Sequence, residues 1–377
     1  VPGLYLYRFD ESSLDMGDAL NVLRNNPSVE YAEPDYYYQA ASIPNDTLFS
    51  QLWALENTGQ NQGIIDADIN ASFMWDIQKG SSAVVIGVLD SGVDYNHNDL
   101  KANLWKNFSE IAGNSIDDDS NGYTDDIYGI NAILNNGNPI DTTSHGTHIS
   151  GTIGAKGNNA MGVVGVSQTV GIATCKFLGS NNSGTTSDAI KCLQYFADLK
   201  TRPVNAVNIV ATNNSWGGGA FSQSLIDAIA AHQSLGILFV AAAGNAGTNN
   251  DLQPFYPASY QLANVISVAA TDQNDRLASF SNYGQRTVHV AAPGNKIFST
   301  VISQRYAFLS GTSMAVPHVT GLIAIIKSQF PSMDYRNVKN LVIASGKPLS
   351  GLQTNTITGR RIRGADTNGQ GALTCNN

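Results

Sequence analysis

The sequence predicts an α/β fold, a doubly wound and mostly parallel sheet with helices on both faces, preceded by a small α+β segment. Two features carry this expectation. From Ile43 onward, apolar runs of strand length recur as AVVIGVLD, VGIATCKF, AVNIVATNNS, GILFVAAAGN and NVISVAA; continuous rather than alternating runs are what strands covered on both faces show. Between them lie SHGTHISGTIGA, SDAIKCLQYFADL and SQSLIDAIAAHQ, each with apolar residues at helical spacing, which makes the alternation of a sheet and its covering helices. A chain of 377 residues that is 42% hydrophobic and 14% charged buries a large core, which excludes a disordered or fibrous protein.

Three segments follow in order along the chain. Residues 1–41 hold a strand-like LYLYRF, a helical stretch around Met16 to Arg24 and a second extended run, VEYAEPDYYYQ, too little to enclose a core alone. Residues 42–365 are the main domain. Its last long helix is expected from Thr312 to Gln329, with Pro317 near enough to the start to be tolerated. After about Gly364 the chain turns polar and glycine-rich, a tail over 366–377. The net charge of −9 argues against a nucleic-acid partner, which would select a basic face; carboxylates suit cations instead. No apolar run reaches the roughly 18 residues of a membrane span.

The chemistry-bearing residues sit at element ends. VLDSGVD closes the first strand of the main domain with Asp90, at the carboxyl edge where open α/β sheets gather ligands. HGTHISGT offers His145 and His148 at a helix start, and GTSMAVPH offers Ser313 and His318 at another. A serine nucleophile needs an imidazole to take its proton and a carboxylate to hold the imidazole's tautomer, so these three residue types have to converge.

In this order and with these flanks, DSGVD, HGTHISGTIGA, NNSWGGG, AAAGN, FSNYG, VAAPG and GTSMAVPHV resemble the subtilisin-like serine proteases over about Ile43 to Ile362. The resemblance implies that Asp90 orients, His145 is general base and acid, Ser313 is the nucleophile and Asn245 donates to the oxyanion. It further implies that Ser215, Trp216, Gly217 and Gly218, with Ala243 and Gly244, border the substrate cleft, walling the pocket for the residue before the scissile bond. Endopeptidase action of broad specificity on proteins or peptides follows. The competing structural readings are a helix cap for Ser313, a turn for Asn245 and for the glycines, and buried packing roles for His148 and His318; His97, His232 and His289 have no evident partner. The competing functions are a catalytically silent homologue that binds peptides in the same cleft, and an exopeptidase.

Calcium is expected at two places. DDDSNGYTDD sets Asp117, Asp119, Asn121 and the Tyr123 carbonyl at the spacing of an EF-hand's first half, with Gly122 at the sharp turn; Tyr128 stands where the bidentate glutamate belongs, so Asp126 or Asp125 has to substitute. The family resemblance implies the second site, from Asp46, Asp99 and Asn159 with the carbonyls of Gly157, Met161 and Val163.

Cys175 in a strand and Cys192 in the next helix are either a disulfide, which suits a secreted protein, or two buried thiols; Cys375 is free or paired elsewhere. No charged start with an apolar stretch follows Val1, so an export signal is expected upstream of it. By the same resemblance, residues 1–41 are the second half of an inhibitory propeptide, an intramolecular inhibitor of a monomeric enzyme. The first half is expected to be missing from this chain, with cleavage after Ala41 in YYYQAASIPND.

Overall fold

The computed structural model describes residues 3–8, 16–33, 43–365 and 371–373. The chain divides into two compact units, 1–41 and 42–377. In the first, helix α1 (Met16–Arg24) buries Ala19, and Arg24 Nε donates to the Ala32 carbonyl at 2.9 Å. The expected strand at LYLYRF does not form over its described residues, 4–8: Leu4, Tyr5, Leu6 and Tyr7 are all exposed, so neither face of the alternation is covered. Most of the aromatic run and Ala41 lie outside the described residues, as does Cys375.

The second unit is built on a sheet whose strands are β1 (Gly80–Asp90), β2 (Gly129–Asn131), β3 (Thr169–Lys176), β4 (Ile209–Asn214), β5 (Leu238–Ala242), β6 (Val265–Thr271) and β7 (Val290–Pro293). They lie in the order β2-β3-β1-β4-β5-β6-β7, all parallel. A hairpin, β8 (Ile297–Val301) with β9 (Arg305–Leu309), stands apart. Two short strands, β10 (Lys347–Pro348) and β11 (Arg360–Arg361), extend the edge beyond β7.

Side chains alternate across the sheet into two cores. Val84, Ile86 and Val88 of β1 face one layer with α3 (His145–Gly154) and α6 (Thr312–Gln329), including Ile149, Ile153, Val319 and Leu322. Val85 and Leu89 face the other, with α4 (Thr186–Thr201) and α5 (Gln223–Ser234), including Leu193, Phe196 and Ile229. Gly87 is needed for that second layer, because a Cβ there would lie 2.8 Å from the Phe196 ring. The Cys175–Cys192 disulfide, with its Cα atoms 5.6 Å apart, fastens α4 to β3. Two further helices, α2 (Ala71–Ile77) and α7 (Tyr335–Ala344), complete the described set. Ala372 and Leu373, in the segment that reads as a polar tail, are buried in the first core.

The chain leaves β1 to form β3 on one side and β4 on the other. That reversal opens a crevice at the carboxyl ends of the strands, the place where such sheets bind ligands.

Candidate active site

Asp90 ends β1 at this crevice and is wholly buried. Its Oδ1 accepts from His145 Nδ1 at 2.7 Å and from the Ser91 amide at 2.7 Å. The Nδ1 proton is thereby held, and the Nε2 lone pair is left for another partner. Burial pulls the His145 pKa down, but the charge and hydrogen bond of Asp90, with the charge of Asp141, outweigh it and raise the pKa above the usual 6.5. Helix α3 can start this close to β1 only because residue 146 is glycine: a Cβ there would lie 2.1 Å from the Gly92 carbonyl.

Two residues that sequence reasoning missed hold this helix start. Ser91 Oγ accepts from the Gly146 amide (2.9 Å) and donates to Asp141 Oδ1 (2.9 Å). Asp141 also accepts from the Thr143, Ser144 and Thr147 amides. A carboxylate a few residues before a helix start is a recognisable signal for such capping.

Ser313 is the second residue of α6, in the turn whose amides lack intrahelical acceptors. Its Oγ donates to the Ser215 carbonyl at 3.0 Å, and Ser215 Oγ donates to the Ser313 carbonyl at 2.7 Å. Asn245 follows β5. Its Oδ1 accepts from the Thr312 amide (2.8 Å) and Thr312 Oγ1 (2.9 Å). An amide N–H only donates, so the atom facing Thr312 is oxygen, and Asn245 Nδ2 is left to donate elsewhere. His145, Ser215, Trp216, Gly217 and Gly218 line one cleft of about 450 Å³, and Ser215 links that cleft to Ser313. An oriented imidazole, a hydroxyl and an amide donor around one crevice are the parts that acyl transfer requires.

The other histidines are structural in their contacts. His148 is buried with Nε2 at 3.0 Å from the Ile297 carbonyl, and burial depresses its pKa to about 3. His318 pairs with the Met314 carbonyl, His232 with the Leu193 carbonyl and His97 with the Arg305 carbonyl. His289 Nδ1 accepts from the Ser267 amide.

Two acidic clusters stand apart from the crevice. Asp46, Asp99 and Asn159 come together: Asn159 Nδ2 donates to Asp99 Oδ1 at 2.7 Å, and the Val163 amide donates to Asp99 Oδ2 at 2.8 Å. Among the described residues, Asp46 Oδ1 is buried with no hydrogen-bond partner. Burial, and for Asp46 the neighbouring charge of Asp99, raise both pKa values. In the second cluster, carboxylate oxygens of Glu110, Asp119 and Asp126 lie within 4.8 Å of one another. Glu110 was not anticipated from the sequence. Asp117 heads the loop, its oxygens accepting from the Asn121 and Gly122 amides. Gly122 takes the turn at φ +92°. The Tyr123 ring packs edge-on against Tyr195. Burial pushes Asp126 up to about 6, with the Asp119 charge contributing.

The pattern of the Subtilase family matches residues 81–365. A thermophilic serine proteinase of Bacillus sp. (strain AK1) is 39% identical over 82% of this chain and 66% of its own length. Subtilisin-like protease 1 of Plasmodium falciparum (isolate 3D7) is 38% identical over 67% of this chain and 38% of its own. The chain therefore spans less than two thirds of these relatives. Among solved structures, a cold-adapted subtilisin-like serine proteinase superposes with a TM-score of 0.64 at 26% identity, over 84% of this chain and 98% of that one. A protease from Pseudoalteromonas arctica gives 0.64 at 27%, over 86% and 98%.

Proposed function

This chain belongs to the subtilase family, and on that premise we propose that it is a serine endopeptidase hydrolysing proteins or peptides through an acyl-enzyme. The observation that carries the reading is the 2.7 Å Asp90–His145 pair, with His145 on the cleft also lined by Ser215, the hydrogen-bond partner of Ser313. In this reading the Ser313 hydroxyl leaves the Ser215 carbonyl and gives its proton to His145 Nε2. Nε2 takes the proton as Oγ bonds to the substrate carbonyl carbon. The oxyanion that forms is met by Asn245 Nδ2 and by the amides at the α6 start. The C–N bond then breaks and the amine leaves with the Nε2 proton. Water then gives a proton to Nε2 as its oxygen bonds to the acyl carbon, and Nε2 returns that proton to Ser313 Oγ as the acyl C–Oγ bond breaks. Asp90 keeps the imidazole in the correct tautomer throughout.

Because the base must be neutral, activity rises with pH through a His145 pKa above 6.5. The decisive test is labelling with a fluorophosphonate: an adduct on Ser313 is expected, and its absence from folded protein overturns the reading. Ser313→Ala is expected to abolish hydrolysis. Asn245→Ala is expected to lower kcat by about 10²- to 10³-fold with KM little changed, the range known for subtilisin's own asparagine donor rather than one set by this geometry.

Two calcium ions fit the acidic clusters as structural ligands. Asp46, with its unpartnered Oδ1, would share one with Asp99 and Asn159 and with carbonyls among Gly157, Met161 and Val163. Asp119, Asn121 and Asp126, joined by Glu110, would hold the other. The ions supply charge compensation for clustered carboxylates and cross-link distant segments; they take no part in the chemistry. Residues 1–41 fit the second half of an inhibitory propeptide, and the disulfide fits an exported enzyme.

A further inference from the structure

We propose, resting on the hydrolase reading above, that Phe255 closes the pocket for the residue preceding the scissile bond, so that the enzyme cuts after glycine, alanine or serine. The crevice beside Ser313 is walled by the chain continuing from β4 (215–217) and from β5 (243–245), adjacent parallel strands. The substrate residue whose carbonyl meets Ser313 and Asn245 places its side chain between these walls. Both present glycine there, Gly217 and Gly244, which in an open pocket would leave room for a large side chain.

Here the room is filled from the protein's own side. A Cβ built on Gly217 would lie 2.2 Å from Phe255 Cε1 and 2.7 Å from Cζ, and one built on Gly244 would lie 3.2 Å from Phe255 Cγ. The benzyl group thus reaches both walls. Its position is held at the backbone: the Phe255 amide donates to Ser259 Oγ (3.0 Å), its carbonyl accepts from the Ser259 amide (2.9 Å), and the Gly218 amide donates to the Tyr256 carbonyl (2.9 Å). A leucine or phenylalanine in the substrate would have to displace this ring, whereas an alanine methyl fits above it.

Affinity has to come from farther along the substrate. The 450 Å³ cleft that holds His145 and Gly217–Ala220 is lined by Phe177, Trp216 and Tyr256 alongside Asn182, Thr185 and Ser222, which suits an aromatic side chain with a polar tip, such as tyrosine, upstream of the small residue. The chain's own Tyr-Tyr-Tyr-Gln-Ala-Ala, 36–41, has this pattern.

The test is a panel of otherwise identical peptides with alanine, serine, leucine or phenylalanine before the scissile bond, assayed with wild-type and Phe255→Ala protein. Fluorophosphonate labelling, which needs no side chain in that pocket, counts active sites. Wild type is expected to favour alanine over phenylalanine in kcat/KM by about 100-fold or more, within the range a steric pocket achieves. In Phe255→Ala that ratio should fall at least about tenfold. Each ratio is taken within one preparation, and the wild-type preference decides the matter if the variant fails to fold. Labelled wild type that cuts equally well after phenylalanine overturns the proposal, as does a folded Phe255→Ala with an unchanged ratio. If Ser313 takes no label and no peptide is cut, the hydrolase reading itself falls, and this one with it.

Discussion

Ser313 and Ser215 hold each other through two reciprocal hydrogen bonds, the hydroxyl of each donating to the carbonyl of the other at 3.0 and 2.7 Å. The reason lies four residues farther on. In an unbroken helix the Ser313 carbonyl would accept from the amide of residue 317, but that residue is proline and has no N–H. Ser215 Oγ supplies the missing donor. Asn213 Nδ2 in turn donates to Ser215 Oγ (2.9 Å), and Thr320 Oγ1 donates to Asn213 Oδ1 (3.0 Å). This chain of side chains ties the end of β4 to the first turns of α6.

Ser215→Ala is therefore expected to leave a carbonyl without its donor and to destabilise the fold by ~1–3 kcal/mol. The sharper readout is kinetic: kcat should drop by about tenfold or more because the nucleophile's backbone is less well fixed, while KM changes little. Ser215→Thr keeps the hydroxyl and should recover most of the loss. Equal kcat in wild type and Ser215→Ala would assign the bond no role in placing Ser313.

What the sequence reveals and conceals follows from the range of the interactions. The long parallel strands are legible because burial on both faces leaves continuous apolar runs, and Asp90, His145, Asn245 and Ser313 stand out as candidates because short motifs surround them. The Ser215–Pro317 compensation spans about a hundred residues and has no local pattern. Glu110 joins Asp119 and Asp126 only through a fold of the chain, and Phe255 meets Gly217 and Gly244 from a third segment. The edge strands β10 and β11, two residues each, are too short to show a period. Ala372 and Leu373 are isolated apolar residues in a polar stretch, so their burial is decided wholly by tertiary packing.

Acid should unfold the protein through its buried histidines. Burial lowers His148 and His289 to about 3, and His232 and His318 to about 4. At each, the folded state binds protons less readily than the unfolded state, whose histidines titrate near 6.5. Stability is thus fully present above 6.5 and is lost progressively as pH falls toward 3–4. Melting curves of Ser313→Ala, which removes self-digestion, should shift steadily downward across that window. A melting temperature flat from pH 6.5 to 4 would contradict the assignment.

Chelation should loosen the same fold by a different route. An ion bound only by the folded state stabilises it by mass action, so removing calcium should lower the melting temperature and hasten self-digestion. Asp99→Asn should reproduce part of the shift and reduce the further effect of chelator, since Asp99 gathers Asn159, Val163 and Tyr306 at one cluster. Metal analysis of the purified protein decides the matter independently. Unchanged melting with chelator and no bound calcium would remove both proposed sites.

The junction between residues 1–41 and the main domain should be cut by the enzyme itself. The sequence there is YYYQAASIPND, in which Ala41 is small enough for the pocket that Phe255 narrows, and Tyr38 stands three residues upstream, where the aromatic and polar lining of the cleft can receive it. Pro44 lies beyond the cut, close to Asp46, which is anchored by the Asn158 amide at 2.9 Å, so cleavage would leave the proposed cation site intact. Intact-mass analysis of the active protein is expected to show a break after Ala41, within about two residues, and Ser313→Ala made without other proteases should remain whole. Phe255→Ala adds a second constraint: because a small residue already occupies the cut position, the site of cleavage should not move. A Ser313→Ala chain cut at the same place would mean that another protease does the processing, and an active enzyme with an unbroken chain would mean that the segment is a permanent part of the fold.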